Sequence, residues 1–418
     1  MAEKTGFLIL SHQLMSMVPP LAAALKRRGI RAYVLSSSPT REVEAAWQDE
    51  VELVRITDAP ALRSADVDRF LAELSADGVR LLGCLTVWDA YRVLMAYANR
   101  RLGTPDLSEE TVRGVRDKLA MRTFLRVQGL SEVAAWPLTE ARFEALEDKS
   151  RYFVKPREGL ASMGAFRADR LTDVAELDGL WQQACADRAY AGVFEGEPSF
   201  IVEEFIDGVE CSFETSVTGD AVTVHAVHEK VDLRQAGRTT LENACVCPPR
   251  SLDPAEVRLG VEHVERCLRA LGVDTGVHHV EARFQRGRGW EIVEVNPRIG
   301  GAYIVASTLR HRGVDVLELW IDQLLGRPVE PTASEERSTF FRVFYGEPGR
   351  RVARVARGAV PVDLVEDKLF VREGERLPEV DREIFVGQAL WDVTSLSPDA
   401  LDAFLRESES HLRIEYSA

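Results

Sequence analysis

Two glutamates on a short hairpin are the residues whose types and spacing most directly suggest chemistry. Residues 280–298 alternate apolar and polar side chains on either side of a glycine-bearing turn, which predicts a β-hairpin. If the pairing is symmetric, Gln285 faces Trp290 and Glu281 therefore faces Glu294. Opposed like charges destabilise a sheet, whereas carboxylate oxygens are the ligands that Mg²⁺ prefers. The hairpin therefore suggests a site for a divalent cation.

The alternation also assigns the other hairpin residues to two faces. Asn296 shares the face of the two glutamates, and Arg298 continues beyond it. The predicted core face consists of Val280, Ala282, Phe284, Val293 and Val295. Two solvated glutamates, or glutamates neutralised by Arg283, would give the same pattern, so the hairpin alone leaves these alternatives open.

A lysine at the end of an apolar strand begins a second candidate segment. The predicted strand at 151–156 carries Lys155 and leads into a loop of G-x-x-S-x-G form, with Gly159, Ser162 and Gly164. Glycines allow backbone N–H groups to approach phosphate oxygens. An ordinary hairpin loop with a solvated lysine is the alternative.

Another lysine lies at the predicted start of a helix over residues 118–127. Asp117 is a suitable N-cap, which places Lys118 in the first turn. A cation there opposes the helix dipole, so structure alone does not favour it. We expect Lys118 to bind an anion, with a charged surface residue as the alternative.

Residues 294–301, Glu-Val-Asn-Pro-Arg-Ile-Gly-Gly, resemble the signature that closes the nucleotide site of the ATP-grasp family. The segments before it follow the order of that family: Lys118, Lys155 with its loop, a strand and hinge at 200–214, and Glu281. The resemblance covers roughly residues 1–330 and implies ATP as a cofactor, with Mg²⁺ or alternatively Mn²⁺.

The resemblance assigns a role to each segment. It implies that Glu281, Glu294 and Asn296 bind the metal, and that Arg298 and Lys155 act at the reacting centre. The implied nucleotide-binding residues are Lys118, Lys155, Gly159, Ser162, Gly164, Glu203, Ile206 and Glu210. Among these, the backbone of Glu203 and Ile206 would contact adenine and Glu210 the ribose, although a half-exposed strand explains the alternation at 200–214 equally well.

The implied reaction joins a carboxylate to an amine through an acyl phosphate, releasing ADP and phosphate. The N-terminal and C-terminal sections are similar to those of L-amino-acid (dipeptide) ligases, which implies small-molecule amino-acid substrates. Glu229 or His228 is a candidate general base, in a segment that runs into a polar loop ending at Asn243, and a solvated loop is the alternative. Two alternatives stay open. One is another ATP-grasp activity, such as a purine-pathway ligase or a carboxylase. The other is a catalytically silent nucleotide-binding regulator.

The elements that must position these residues divide the 418-residue chain into several domains. Strands alternating with helices before residue 115 predict an α/β fold with a parallel sheet. We expect an ATP-grasp fold with an N-terminal α/β domain at 1–115, a lid at 116–199, a central subdomain at 200–330 and a C-terminal α+β section at 331–418. Pro328 and Pro331 mark the last boundary.

Composition limits the partners and the compartment. The net charge of -15 argues against nucleic acid and anionic membrane surfaces, which require a basic face. No apolar run approaches the roughly 18 residues of a membrane helix. The six cysteines form no C-x-x-C pair, so we expect buried free thiols and a reducing cytoplasm. A homodimer is left open.

Overall fold

The computed structural model describes residues 4–14, 17–39, 49–160, 162–194, 196–327, 335–380 and 382–417. The predicted boundary at Pro328 and Pro331 lies outside these ranges. The strands within them are β1 Lys4–Ser11, β2 Arg31–Ser36, β3 Leu53–Ile56, β4 Val79–Leu85, β5 Ala135–Pro137, β6 Tyr152–Pro156, β7 Phe166–Arg167, β8 Phe200–Glu204, β9 Val209–Thr218, β10 Ala221–Ala236, β11 Thr239–Cys247, β12 Thr275–Gln285, β13 Gly289–Asn296, β14 Thr339–Tyr345, β15 Arg351–Arg357, β16 Asp363–Leu369, β17 Phe385–Asp392 and β18 Leu412–Ser417.

The helices that the structure describes cover these sheets. They are α1 Val18–Arg27, α2 Ser64–Ala76, α3 Arg92–Leu102, α4 Glu109–Arg116, α5 Lys118–Val127, α6 Glu140–Glu144, α7 Glu176–Ala186, α8 Pro254–Ala270, α9 Ile304–Arg312, α10 Val316–Leu324 and α11 Pro398–Glu407. None of the described helices is both long and apolar enough to cross a bilayer.

The N-terminal strands form a parallel sheet in the order β3-β2-β1-β4, as the alternating pattern predicts. The apolar residues of β1 and β2 are buried against the surrounding helices. This core also includes α10, which follows the predicted metal hairpin by some twenty residues. Arg28 at the end of α1 bonds Asp322 of α10 through Nε at 2.8 Å. The N-terminal domain is therefore completed by a helix from the segment expected to belong to the central subdomain.

A small antiparallel sheet, in the order β5-β8-β6-β7, combines strands of the section expected to be the lid with β8, which lies in the section expected to be the central subdomain. Its apolar side packs against α7, where Trp181 makes edge contacts with Phe194 and Phe200. The chain leaves this sheet through β8 and enters the central sheet at β9.

The largest sheet has eight strands in the order β13-β12-β9-β10-β11-β14-β17-β16, and all its neighbours are antiparallel. Strands β14, β17 and β16 come from the C-terminal section and extend the same sheet. The remaining strands, β15 and β18, pair with each other.

Local signals predicted many of the element ends. Asp117 caps α5 by accepting from the backbone N–H of Leu119 and Ala120, and Ser108 caps α4. Two expectations are wrong. The expected polar loop before Asn243 is the hairpin of β10 and β11, in which polar strand residues face a charged site. Cys185 is exposed, because it lies on the outer side of α7, whereas the other five cysteines are buried.

Candidate functional site

The hairpin of β12 and β13 pairs Glu281 with Glu294, as predicted. The predicted turn register is wrong, because Gln285 pairs with Gly289 and Trp290 faces Phe284. A bulge beside Glu281 inserts one residue and restores the predicted pairing there. The same bulge keeps Val293 out of the apolar core, to which the sequence pattern assigned it.

Lys118 reaches this hairpin from the start of α5. Its Nζ lies 3.2 Å from Oε2 of Glu294. A small cleft joins Lys118, Gly159, Glu294 and Asn296, and it is also lined by Asp89, Val115, Arg116 and Val295. The predicted phosphate lysine, the first glycine of the loop and two predicted metal ligands therefore line one cavity.

The N-terminal domain holds the Asn-Pro-Arg segment that follows the hairpin. The buried Arg92 donates from Nε to the carbonyl of Pro297 at 2.8 Å and forms an ion pair with Asp106. Asp89 lies 3.6 Å from Nε of Arg298 and accepts from Arg116 at 2.9 Å. Burial alone would raise the pKa of Asp89, but the charges of Arg116 and Arg298 outweigh burial and lower it. The guanidinium of Arg298 is thus oriented at the edge of the cleft by a carboxylate from another domain.

Lys155 forms a buried ion pair on the lid side. Its Nζ lies 2.5 Å from Oε1 of Glu203 and donates to the carbonyl of Val293 at 3.3 Å. The other oxygen of Glu203 lies 3.2 Å from Arg122. Burial lowers the pKa of Lys155, while the charges of Lys155 and Arg122 hold the pKa of Glu203 below its ordinary value against burial. Arg122 has no sequence signal beyond its place on the inner side of α5.

The predicted hinge has additional contacts. Glu203 lies in the central strand of the lid sheet, paired with Ala135 on one side and Phe153 on the other. The carbonyl of Ile206 accepts from Nη1 of Arg283 at 2.6 Å. Contact of these two backbones with adenine stays a prediction.

Lys230 of β10 is the centre of a carboxylate cluster that the sequence analysis did not predict. Its Nζ lies 2.8 Å from Glu210, 2.6 Å from Glu242 and 3.0 Å from Glu281. These three carboxylates are close enough to hold a metal ion, but the Lys230 ammonium contacts all three. Burial opposes the charge on Lys230, yet the carboxylates hold its pKa well above its ordinary value. We therefore assign this cluster to Lys230 and keep the predicted metal site at the hairpin.

Glu210 also accepts from Nε of Arg283 at 2.6 Å. Arg283 therefore neutralises the predicted ribose-binding glutamate, and not Glu281 or Glu294. Both oxygens of Glu210 have cationic partners in this structure. Its binding of ribose hydroxyls stays a prediction.

The two candidate general bases lie on opposite faces of β10. Glu229 accepts from the backbone N–H groups of Arg250 and Ser251 at 2.7 and 2.8 Å and from the Ser251 hydroxyl. It therefore fixes a loop on the far face of the sheet, which argues against a role as base. His228 is fully buried, and its Nε2 bonds Ser307 at 2.8 Å.

The glycine loop lies over the tip of the β10–β11 hairpin. Ser162 and Gly164 both adopt positive φ angles, 51° and 70°. Met163 makes an isolated bridge to Thr239, and Thr240 donates to the carbonyl of Ala165 at 3.1 Å. The loop therefore contacts the tip of this hairpin at one end and the cleft at Gly159 at the other. Its role in covering phosphate stays a prediction.

The predicted metal ligands suit a hard divalent cation. Glu281 and Glu294 supply carboxylates from adjacent strands. Oδ1 of the buried Asn296 accepts only a 3.4 Å bond from Arg298, so this oxygen is the atom that could bind a cation. Its Nδ2 is a donor with no partner among the described residues, which suits a phosphate oxygen beside that cation.

Part of this chain matches a known protein family. A family model described as ATP-grasp domain matches residues 150–306, which hold the glycine loop, the Lys230 cluster and the metal hairpin. These residues are therefore similar to an ATP-grasp domain. The expected mixed α/β ATP-grasp fold, with its N-terminal parallel sheet, is confirmed.

Individual relatives include ligases of this superfamily. Carnosine synthase 1 of Homo sapiens is 28% identical over 292 residues, which are 66% of this chain and 35% of that protein. The chain thus spans about a third of the length of the curated relatives first matched. The crystal structure of an L-amino acid ligase from Bacillus licheniformis matches with a TM-score of 0.81 at 19% identity, covering 100% of both chains. A biotin carboxylase domain from Hydrogenobacter thermophilus, in complex with MgADP and bicarbonate, matches with a TM-score of 0.69 at 12% identity over 99% of this chain and 91% of that one.

The domain match and the solved structures agree on the fold. The activity and the roles of individual residues stay predictions.

Proposed function

We propose that this protein is an ATP-dependent ligase that forms an amide bond between amino acids or amino-acid-like substrates, releasing ADP and phosphate. The observation that carries the proposal is the pairing of Glu281 with Glu294 beside Lys118, with Arg298 at the edge of the same cleft. The ligases among its relatives support the choice of an amide product.

The nucleotide would lie between the lid and the central sheet. Lys118 and Lys155 supply positive charge for its phosphates, and the loop at Gly159–Gly164 excludes water from them. Glu281, Glu294 and Asn296 would hold Mg²⁺, which neutralises phosphate charge when bound. Lys118 already contacts Glu294, so both cations would share that carboxylate.

The chemistry would take place in two steps. In the first, a carboxylate oxygen attacks the γ-phosphorus and the bond to the β-phosphate oxygen breaks, giving an acyl phosphate and ADP. In the second, the amine nitrogen attacks the acyl carbon, phosphate leaves and the nitrogen loses a proton. Arg298, oriented by Asp89, would stabilise the negative charge on the acyl phosphate and on the tetrahedral intermediate.

Product analysis tests the proposal. The protein is incubated with ATP, Mg²⁺ and single amino acids or amino-acid pairs, and nucleotides, phosphate and product masses are measured. We expect ADP and phosphate in equal amounts with a product lighter than the summed substrates by one water. AMP with pyrophosphate would contradict the mechanism, and nucleotide binding without turnover across the panel would favour a regulator.

A further inference from the structure

His279 lies between two buried carboxylates beneath the metal hairpin. Its Nδ1 lies 2.8 Å from Oε1 of Glu214, and its Nε2 lies 3.2 Å from Oε1 of Glu281. Because a carboxylate accepts at each nitrogen, both nitrogens donate and the ring is an imidazolium. The ring therefore joins a predicted metal ligand to a residue that is remote from the cleft.

The surroundings of the ring stabilise this charged form. Both atoms that bond the ring are carboxylate oxygens, and Glu214 is fully buried. Burial lowers the pKa of the neighbouring His228 to about 4, so His228 is neutral and does not compete for Glu214. Nδ1 of His228 lies 3.8 Å from Glu214 and makes no hydrogen bond among the described residues.

The loop after Arg298 closes the remaining side of the ring. A Cβ atom at Gly300 would lie 2.8 Å from Nδ1 of His279 and 2.6 Å from Ile304. Only glycine therefore allows this backbone to lie against the imidazolium.

The second oxygen of Glu281 is also fixed. Lys230 lies 3.0 Å from Oε2, while His279 bonds Oε1. Each oxygen keeps one further lone pair, and Glu281 is paired with Glu294 of the adjacent strand. The orientation of this ligand is thus determined by two cations before any metal arrives.

We propose that His279 is a positioning residue that orients Glu281 for the divalent cation, and that Glu214 anchors His279. This inference rests on the proposed function, since it assigns a metal to Glu281. Residues that orient metal ligands typically change metal affinity about tenfold to hundredfold when they are replaced. The effect should therefore appear in the metal dependence and not in stability alone.

Two substitutions test the roles of the two ring nitrogens of His279 separately. The amide nitrogen of asparagine can replace Nδ1, so His279→Asn keeps the bond to Glu214 and loses the donor to Glu281. The longer glutamine can replace Nε2, so His279→Gln keeps a donor for Glu281. His278→Asn is the matched control, because His278 is adjacent, fully buried and bonded to the carbonyl of Thr275 on the apolar face.

Binding of ADP is measured by calorimetry with and without Mg²⁺, alongside the Mg²⁺ concentration for half-maximal turnover. We expect His279→Asn to leave metal-free ADP affinity near wild type and to raise the Mg²⁺ requirement about tenfold to hundredfold. His279→Gln should recover most of this loss, and folded His278→Asn should keep the wild-type Mg²⁺ requirement. Equal effects of Asn and Gln at 279, or an unchanged Mg²⁺ requirement in His279→Asn, would overturn the proposal.

Folding and the proposed function are controlled separately. If His279→Asn does not fold, Glu214→Gln replaces it, because an uncharged anchor should shift the Mg²⁺ requirement in the same direction. An unchanged requirement in folded Glu214→Gln would then overturn the proposal. If wild type binds MgADP but produces no amide, the proposed function fails, while calorimetry still decides the role of His279.

Discussion

Strands β9, β10 and β12 carry apolar side chains on one face of the central sheet and charged side chains on the other, and both faces are largely buried. On one face Cys211, Phe213 and Val280 pack under α8. The ring centroids of Phe213 and Trp290 lie 5.1 Å apart. On the other face Glu210 and Lys230 belong to an interlocked set of ion pairs. Neighbouring residues of the same strands therefore lie in opposite environments.

The two faces differ in what burial contributes. Burying apolar surface stabilises the fold by about 25 cal/mol per Å². Burying ion pairs carries a desolvation penalty. A protein with apolar residues of similar volume in place of such ion pairs is often equally stable or more stable. Stability therefore accounts for the apolar face but not for the charged one. The charged face is the one that carries Glu281, the predicted metal ligand.

The largest expected effect is on the charged face, in Glu294→Gln. The substitution removes the negative charge that faces Glu281, so we expect turnover in millimolar Mg²⁺ to fall below detection. The side chain is 26% exposed and its ion pair with Lys118 lies at the cleft, so thermal stability should change little. ADP release and a thermal melt measure the two quantities. Activity near wild type would mean that the hairpin does not bind the catalytic metal.

The apolar face should give the opposite result. Phe213→Ala leaves a cavity against Trp290 and α8, and we expect the free energy of unfolding to fall by about 3–5 kcal/mol. Urea denaturation measures this change, with Glu294→Gln as the comparison variant. If Glu294→Gln were destabilised as strongly as Phe213→Ala, the proposed division between the faces would be wrong.

A smaller effect is expected at the two lysines. Lys155→Ala removes a buried cation of the lid strand β6, and we expect ATP affinity to fall about tenfold to hundredfold, as for loss of a charge-assisted hydrogen bond. Lys118→Ala should also lower ATP affinity, because it removes a cation that lines the cleft. Calorimetry measures both, with the exposed Lys26→Ala as control. Unchanged affinity in both site variants would argue against the nucleotide cleft.

The smallest effect concerns pH. Burial, with the nearby Glu242, raises the pKa of Glu383 from 4.5 to about 8. The folded state therefore holds this proton more tightly than the unfolded state, and its contribution to stability is lost as pH rises from 4.5 through 8. Relative to Glu383→Gln, wild type should lose stability across that window. Denaturation at several pH values tests this, with the exposed Glu347→Gln as control; parallel pH profiles of wild type and Glu383→Gln would contradict it.

Local sequence signals predicted the start of α5 and the pairing of the two key glutamates. Helix α5 begins at Lys118 because Asp117 caps it. Glu281 faces Glu294 although the predicted turn register is wrong, because the β-bulge adds one residue. Alternation alone could not reveal that bulge, so Val293 was assigned to the wrong face.

The partner of each charge was decided only by the tertiary structure. Alternation identifies Glu210, Lys230 and Glu281 as polar strand positions. Only the strand order β12-β9-β10 brings Nζ of Lys230 to 2.8 Å from Glu210 and 3.0 Å from Glu281. In the same way, α10 joins the N-terminal core although it follows the metal hairpin in the chain. Caps and hairpins are contacts between residues a few positions apart, so the sequence specifies them directly. Ion pairs between distant strands depend on how the sheet is assembled, and their energies depend on burial, which no local pattern contains.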